Sequence, residues 1–186
     1  EDIVFTALFG GYESLNELEL PRHPSTRYIC FTDDSTLTSK TWEIFVIDPI
    51  IKSNPSRASR EIKMLGHKYF PVGTRSLYID NTVRLKVDGA TILDAWLKDA
   101  EVAFMLHASR KTVRGEFFTC SAYGLDKQEE IWNQYRHYSS NYSAVLHQRP
   151  YWGGMIARVN ASATDKFMEA WKDQFDRFSR RDQLSI

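Results

Sequence analysis

The sequence predicts an α/β fold with a mostly parallel central sheet flanked by helices. Two observations carry this. Short runs rich in β-branched and aromatic residues alternate with longer segments whose apolar residues recur every three or four positions. Several runs also stop abruptly at a carboxylate, as in "YICFTDD" and "SLYID". Strands alternating with helices build layers around a parallel sheet. In such sheets ligands bind outside the carboxyl ends of the strands.

Each element has its own signal. "DIVFTALF" (2–9) reads as a strand stopped by Gly10 and Gly11. "RYICFTDD" (27–34) is a second strand and "WEIFVID" (42–48) a third, closed by Asp48-Pro49. In 57–70, Ala58, Ile62, Leu65 and Tyr69 have the spacing of a helix with one buried face, ended by Pro71 and Gly73. "SLYID" follows as a fourth strand. "TILDAWLKDA" (91–100) reads as a helix with Thr91 as N-cap. "VAFMLH" (102–107) is a strand, 126–139 a polar amphipathic helix, and "YWGGMIARVN" (151–160) a strand. The helix over 163–179 places Phe167, Trp171, Phe175 and Phe178 on one stripe, read as core.

Composition narrows the function classes. The chain has 186 residues, 42% hydrophobic and 26% charged, enough for one domain with a proper core. Lys plus Arg is 24 and Asp plus Glu is 24, so no overall basic footprint suits nucleic acid or an anionic membrane. Cys30 and Cys120 have neither metal-type spacing nor a disulfide framework, and Cys30 in "YICF" reads as a core thiol. No apolar run reaches the length of a transmembrane helix. The expectation is one catalytic domain over 1–186, trimmed at its C-terminus, with no leader visible.

The strand ends supply the candidate site. They are Thr6 to Tyr12 (Ala7 included), Asp33 with Asp34, Asp80 to Thr82, and His107 to Arg110. Asp80 has three readings: an Asx-turn, a helix cap, or a cation ligand. A hard cation such as Mg²⁺ or Mn²⁺ takes oxygen ligands, often one or two carboxylates plus substrate phosphates. Thr82 stands where a second carboxylate would be needed. Arg60 and Lys63 lie i, i+3 on one helix face, as a solvated pair or as an anion clamp.

The order of motifs resembles a known family. An Arg- and Lys-bearing helix, "ASREIKMLGHKYF", leads into a strand ending in Asp, as in GT-A-type glycosyltransferases and particularly glycosyltransferase family 8. "YWGGMIARVN" and "RDQLSI" are similar to two downstream motifs of that superfamily. A closer resemblance is to the TOD1/MUCI70-like group once catalogued as domain of unknown function 616. "FTALFGGYESL", "YICFTDD", "SLYIDN", "DKQEEIWNQY" and "RDQLS" occur here in that group's order.

The resemblance implies a GT-A (Rossmann-like) fold and transfer of a sugar from a nucleotide-sugar donor, UDP-sugar favoured, to a glycan or polysaccharide acceptor. It implies Mn²⁺ or Mg²⁺ held by Asp80 and Thr82. Donor contacts fall on Thr6, Ala7, Tyr12, Asp33, Arg60, Lys63, Asp80, Asn81, Gly153 and Gly154. Catalytic roles fall on Asp182, Gln183 and His107. A bacterial cytoplasmic setting is favoured, or the Golgi lumen for a eukaryotic chain. Two other classes stay open: a metal-dependent hydrolase using Asp33, Asp80, His107 and Asp182, and a non-catalytic nucleotide- or carbohydrate-binding module.

Overall fold

The most apolar run of the chain becomes the middle of the sheet. All seven residues of β1 (Asp2–Leu8) are buried, as expected of a parallel strand covered on both faces. The structure, a computed structural model, describes residues 1–19, 23–49 and 54–186. Its remaining strands are β2 (Thr26–Thr32), β3 (Glu43–Val46), β4 (Arg75–Ile79), β5 (Val102–Leu106) and β6 (Tyr151–Val159). The helices are α1 (Pro55–Leu65), α2 (Gly89–Trp96), α3 (Val113–Ala122), α4 (Gln128–Asn141) and α5 (Ser162–Arg177).

The six strands form one sheet in the order β3-β2-β1-β4-β6-β5. β1 runs parallel to β2 and β4, and β2 parallel to β3. β6 runs antiparallel to β4, from Arg75 opposite Val159 to Ile79 opposite Met155. The sheet is therefore parallel from β3 to β4, in line with the mostly parallel expectation, but not throughout, because β6 is antiparallel to β4. Strand direction leaves no trace in residue pattern, because a buried strand reads as an apolar run either way.

Helix boundaries shifted where packing overrode local spacing. α1 starts at Pro55 behind an Asn54 cap whose Oδ1 accepts from the Arg57 N–H at 3.1 Å. It stops at Leu65, and a 3-10 turn over Gly66–Tyr69 completes the expected segment. A Cβ on Gly66 would lie 2.6 Å from the Phe5 ring, so this chain segment sits directly on β1. α2 is capped by Asp88, which accepts from the Ala90 N–H at 2.8 Å, and not by Thr91. α3 was not anticipated: its buried stripe of Val113, Phe117 and Cys120 also carries the charged Glu116, and Phe118 lies exposed off it. Its Thr112 cap accepts from the Gly115 N–H at 3.0 Å. On α5, Thr164, Met168, Trp171 and Phe175 are buried, while Phe167 is 44% exposed and leaves the expected stripe.

The chain divides into two compact units: Glu1–Ala103 with Gly154–Glu169, and Phe104–Gly153 with Ala170–Ile186. In the first, Phe5 meets Phe31, Phe70 and Tyr78 edge-on with ring centroids 5.9, 5.5 and 5.5 Å apart. In the second, Val113, Phe117, Cys120, Ile131, Tyr138, Leu146 and Leu184 form the core. Both cysteines are buried free thiols, and burial pushes the Cys30 thiol up to about 12. Among the described residues, no helix is long and apolar enough to cross a membrane.

Candidate functional site

Asp80 directly follows β4. Its N–H donates to the Gly154 carbonyl at 2.9 Å, extending the ladder to β6 by one bond. Its own carbonyl accepts from Val83 N–H at 2.8 Å, so the chain turns at once. Strand periodicity places Tyr78 and Asp80 on one face, and the Tyr78 hydroxyl donates to Asp80 Oδ1 at 2.8 Å. Lys63 Nζ lies 3.6 Å from the same oxygen. The Lys63 side chain is only 3% exposed, against 35% for Asp80. The ammonium also stands 5.5 Å over the Tyr78 ring. The carboxylate that ends the "SLYID" run thus meets a buried lysine from α1.

A residue that sequence reasoning missed holds that lysine in place. Arg158, on β6, is completely buried. Its Nη2 donates to the Lys63 carbonyl at 2.7 Å and its Nη1 to the Met64 carbonyl at 2.9 Å. The last turn of a helix leaves carbonyls without intrahelical partners, and a cation there is favoured by the helix dipole. The guanidinium also lies 5.3 Å from the Phe5 ring centroid. Burial lowers its pKa to about 9, still above neutral pH. The signal in the sequence was a lone arginine inside the apolar run "MIARV".

β1 and β2 end beside each other, and Asp33 ties them together. The Gly10 N–H donates to Asp33 Oδ1 at 3.0 Å and Oδ2 at 3.2 Å, and Asp33 remains exposed. Gly10 and Gly11 have φ of 75° and 61°, the left-handed region. A Cβ on Gly10 would lie 2.5 Å from the Pro55 side chain, so this glycine also lets α1 begin against the turn. Tyr12 is 60% exposed. Thr6 and Ala7 lie inside β1 and are buried.

Asn81 turns away from solvent. Its Oδ1 accepts from Asn16 N–H at 2.9 Å, and its carbonyl accepts from Asn16 Nδ2 at 2.8 Å. Its Nδ2 donates to Glu13 Oε2 at 3.0 Å and the Ser14 carbonyl at 2.9 Å. The residue fastens the segment after Tyr12 to the Asp80 turn. Thr82 is exposed in that turn. Arg60 is half-buried on α1.

The second unit carries the other candidates. His107 follows β5, and its Nδ1 accepts from the N–H groups of Ser109 and Arg110 at 3.3 and 3.2 Å. That assigns the neutral ring's proton to Nε2. Its carbonyl accepts from Arg149 Nε at 3.0 Å and Nη2 at 2.8 Å. Gly153 is buried in β6. Asp182 begins the 3-10 turn Asp182–Leu184 and is 4% exposed. Its Oδ1 accepts from the Gln183 N–H at 3.1 Å, and its carbonyl from Trp171 Nε1 at 3.1 Å. Buried Gln134 on α4 anchors the same segment, donating to the Leu184 carbonyl at 3.2 Å and to Ser185 Oγ at 3.1 Å.

A divalent cation at Asp80 has little to hold it. Asp80 offers one carboxylate, whose Oδ1 already faces a donated hydroxyl and an ammonium. Thr82 adds no charge. Among the described residues, no three His, Cys, Asp or Glu side chains gather as a metal site. The residues present do not fit a protein-built Mg²⁺ or Mn²⁺ centre, which wants an octahedron of oxygens.

An exposed Asp33 after β2 and an Asp80–Lys63 pair after β4 define an α/β protein with a polar site at its strand ends. The chain belongs to the family of the TOD1/MUCI70, glycosyltransferase-like domain, which matches residues 30–186. It is 30% identical over 155 residues to a probable hexosyltransferase, MUCI70, of Arabidopsis thaliana. That similarity covers 78% of this chain and 26% of the relative, so the chain spans about a quarter of the relative's length. No solved structure matches it significantly.

Proposed function

We propose that this chain is a glycosyltransferase of GT-A type that moves a hexosyl group from a nucleotide-sugar donor, UDP-sugar favoured, to a glycan or polysaccharide acceptor. In that reaction the bond from the anomeric carbon to the diphosphate oxygen breaks. A bond from that carbon to an acceptor oxygen forms, and the acceptor proton passes to a base. The departing diphosphate needs fixed positive charge around it. Membership of a glycosyltransferase-like family supports the class of reaction. The observation that carries the reading in this chain is the Lys63–Asp80 pair at the carboxyl end of β4.

Asp33, exposed at the end of β2 with both oxygens oriented by the Gly10 N–H, is suited to accept from ribose or base donors. Tyr12 offers an exposed aromatic face for stacking. Arg60, half-buried, lies three residues before Lys63 on α1. His107 offers an Nε2–H donor in the second unit.

The test is a panel of nucleotide sugars incubated with purified protein and oligosaccharide acceptors. Nucleoside diphosphate release and acceptor mass are followed together. Release coupled to a hexose mass increment is the expected result. Binding of nucleoside diphosphates without release or transfer would instead make the chain a binding module. No binding and no release across the panel would end the donor reading.

A further inference from the structure

We infer that Lys63 is the resident cation of the Asp80 site and that nucleoside-diphosphate binding here needs no divalent metal. The nature of the bound anion rests on the nucleotide-sugar reading above; the exclusion of metal from Asp80 does not.

The argument is geometric. An octahedral cation binds carboxylate oxygens at roughly 2.0–2.1 Å and requires the approach to them to be open. At Asp80 the Tyr78 hydroxyl already donates to Oδ1 at 2.8 Å, and the Lys63 ammonium is 3.6 Å from that oxygen. A metal on Oδ1 would lie close to a second positive charge in a place with little water to screen it, since the Lys63 side chain is almost fully buried. The ammonium has little room to retreat. Its stem is buried, its head rests over the Tyr78 ring, and its carbonyl is held by Arg158 at 2.7 Å. Thr82 supplies no carboxylate to outweigh that repulsion.

A lysine differs from a metal in kind. It is a fixed point charge with three donors, suited to phosphate oxygens. It remains with the protein between turnovers and is not removed by a chelator. Asp80 then serves to hold the ammonium at the strand end, and the acidic residue of the motif becomes a positioning residue for a basic one.

The experiment has two arms. Free Mn²⁺ is followed by electron paramagnetic resonance during titration of wild type, D80N, K63M and K63M/D80N. The K63M side chain keeps most of the stem's packing, and melting curves establish that each variant is folded. Wild type and D80N should take up Mn²⁺ equally. K63M and K63M/D80N should match wild type, because one carboxylate without further protein ligands among the described residues does not hold the ion. In the second arm UDP is titrated by calorimetry in Mn²⁺ and in EDTA. Wild type should bind equally in both, and K63M should bind about tenfold more weakly or worse in EDTA, as expected for one lost charge-assisted hydrogen bond.

Mn²⁺ uptake by wild type that D80N removes would overturn the inference. So would UDP binding abolished by EDTA, or a folded K63M that binds UDP in EDTA as tightly as wild type. If UDP binds under neither condition, the UDP-donor reading fails while the Mn²⁺ arm still decides this one. The wild-type and D80N comparison needs no Lys63 variant, so a K63M that failed to fold would leave it decisive.

Discussion

A buried hydrogen bond of 2.7 Å joins the Arg158 guanidinium on β6 to the Lys63 carbonyl at the end of α1. A second, of 2.9 Å, reaches Met64. The strand therefore fixes the helix turn from which Lys63 reaches Asp80. Replacing Arg158 with Met strands two buried carbonyls, at about 1–3 kcal/mol each, while relieving the burial cost of the charge. We expect a net loss of about 2 kcal/mol in urea unfolding. Amide hydrogen exchange in the last turn of α1 should rise more than in β1.

Gly10 and Gly11 separate two costs of a side chain. Both have positive φ, but only Gly10 faces Pro55, 2.5 Å from its Cβ position. Around Gly11 nothing lies within 4 Å. Gly11→Ala should cost about 1 kcal/mol from backbone strain alone. Gly10→Ala should cost clearly more and loosen the start of α1. Thermal melts of the two variants side by side check the difference.

Asn81 should behave as an anchor for the segment after Tyr12. Asn81→Ala removes partners of Asn16 N–H, Glu13 and the Ser14 carbonyl, at about 1–3 kcal/mol in total for partly buried groups. Limited proteolysis should then cut within residues 10–19 first. Asn81→Asp keeps the acceptor for Asn16 but sets a carboxylate against Glu13, so it should also loosen the segment, and more at neutral pH than in acid.

His67 gives the fold a pH dependence. It is fully buried, and its Nε2 lies 2.8 Å from Asp165 Oδ1. Burial chiefly, then the nearby Arg158 charge, lowers its pKa from 6.5 to about 4, despite the opposing effect of Asp165. The unfolded chain takes up this proton near pH 6.5, while the folded protein resists until about pH 4. Acidification through that window therefore favours unfolding, by on the order of 3 kcal/mol at its lower end, and the stability is restored above pH 6.5. Urea midpoints measured from pH 7 to 4 should fall in wild type and fall less in His67→Gln.

Much of the architecture was legible because its signals are local. The apolar runs, Asn54-Pro55 ahead of α1 and the glycines after β1 each act within a few residues. α3 escaped because a charged residue, Glu116, shares its buried face while apolar Phe118 lies exposed, and α2 began earlier because Asp88 and not Thr91 caps it. Asp33 and Asp80 were correctly located at strand ends, but their partners were beyond reach of pattern. Gly10 is 23 residues from Asp33, and Arg158 is 95 from Lys63.

The sequence by itself determined the alternation of strands and helices, the carboxylates at the ends of β2 and β4, and the two basic residues on α1. Those follow from periodicity and turn chemistry, which are properties of neighbours along the chain. The tertiary structure decided that β6 runs antiparallel, that Asn81 binds the segment after Tyr12, that Thr6 is sealed inside the sheet, and that Lys63 faces Asp80. Each depends on which distant residues share the interior, where a charge persists only beside a partner that offsets its lost hydration.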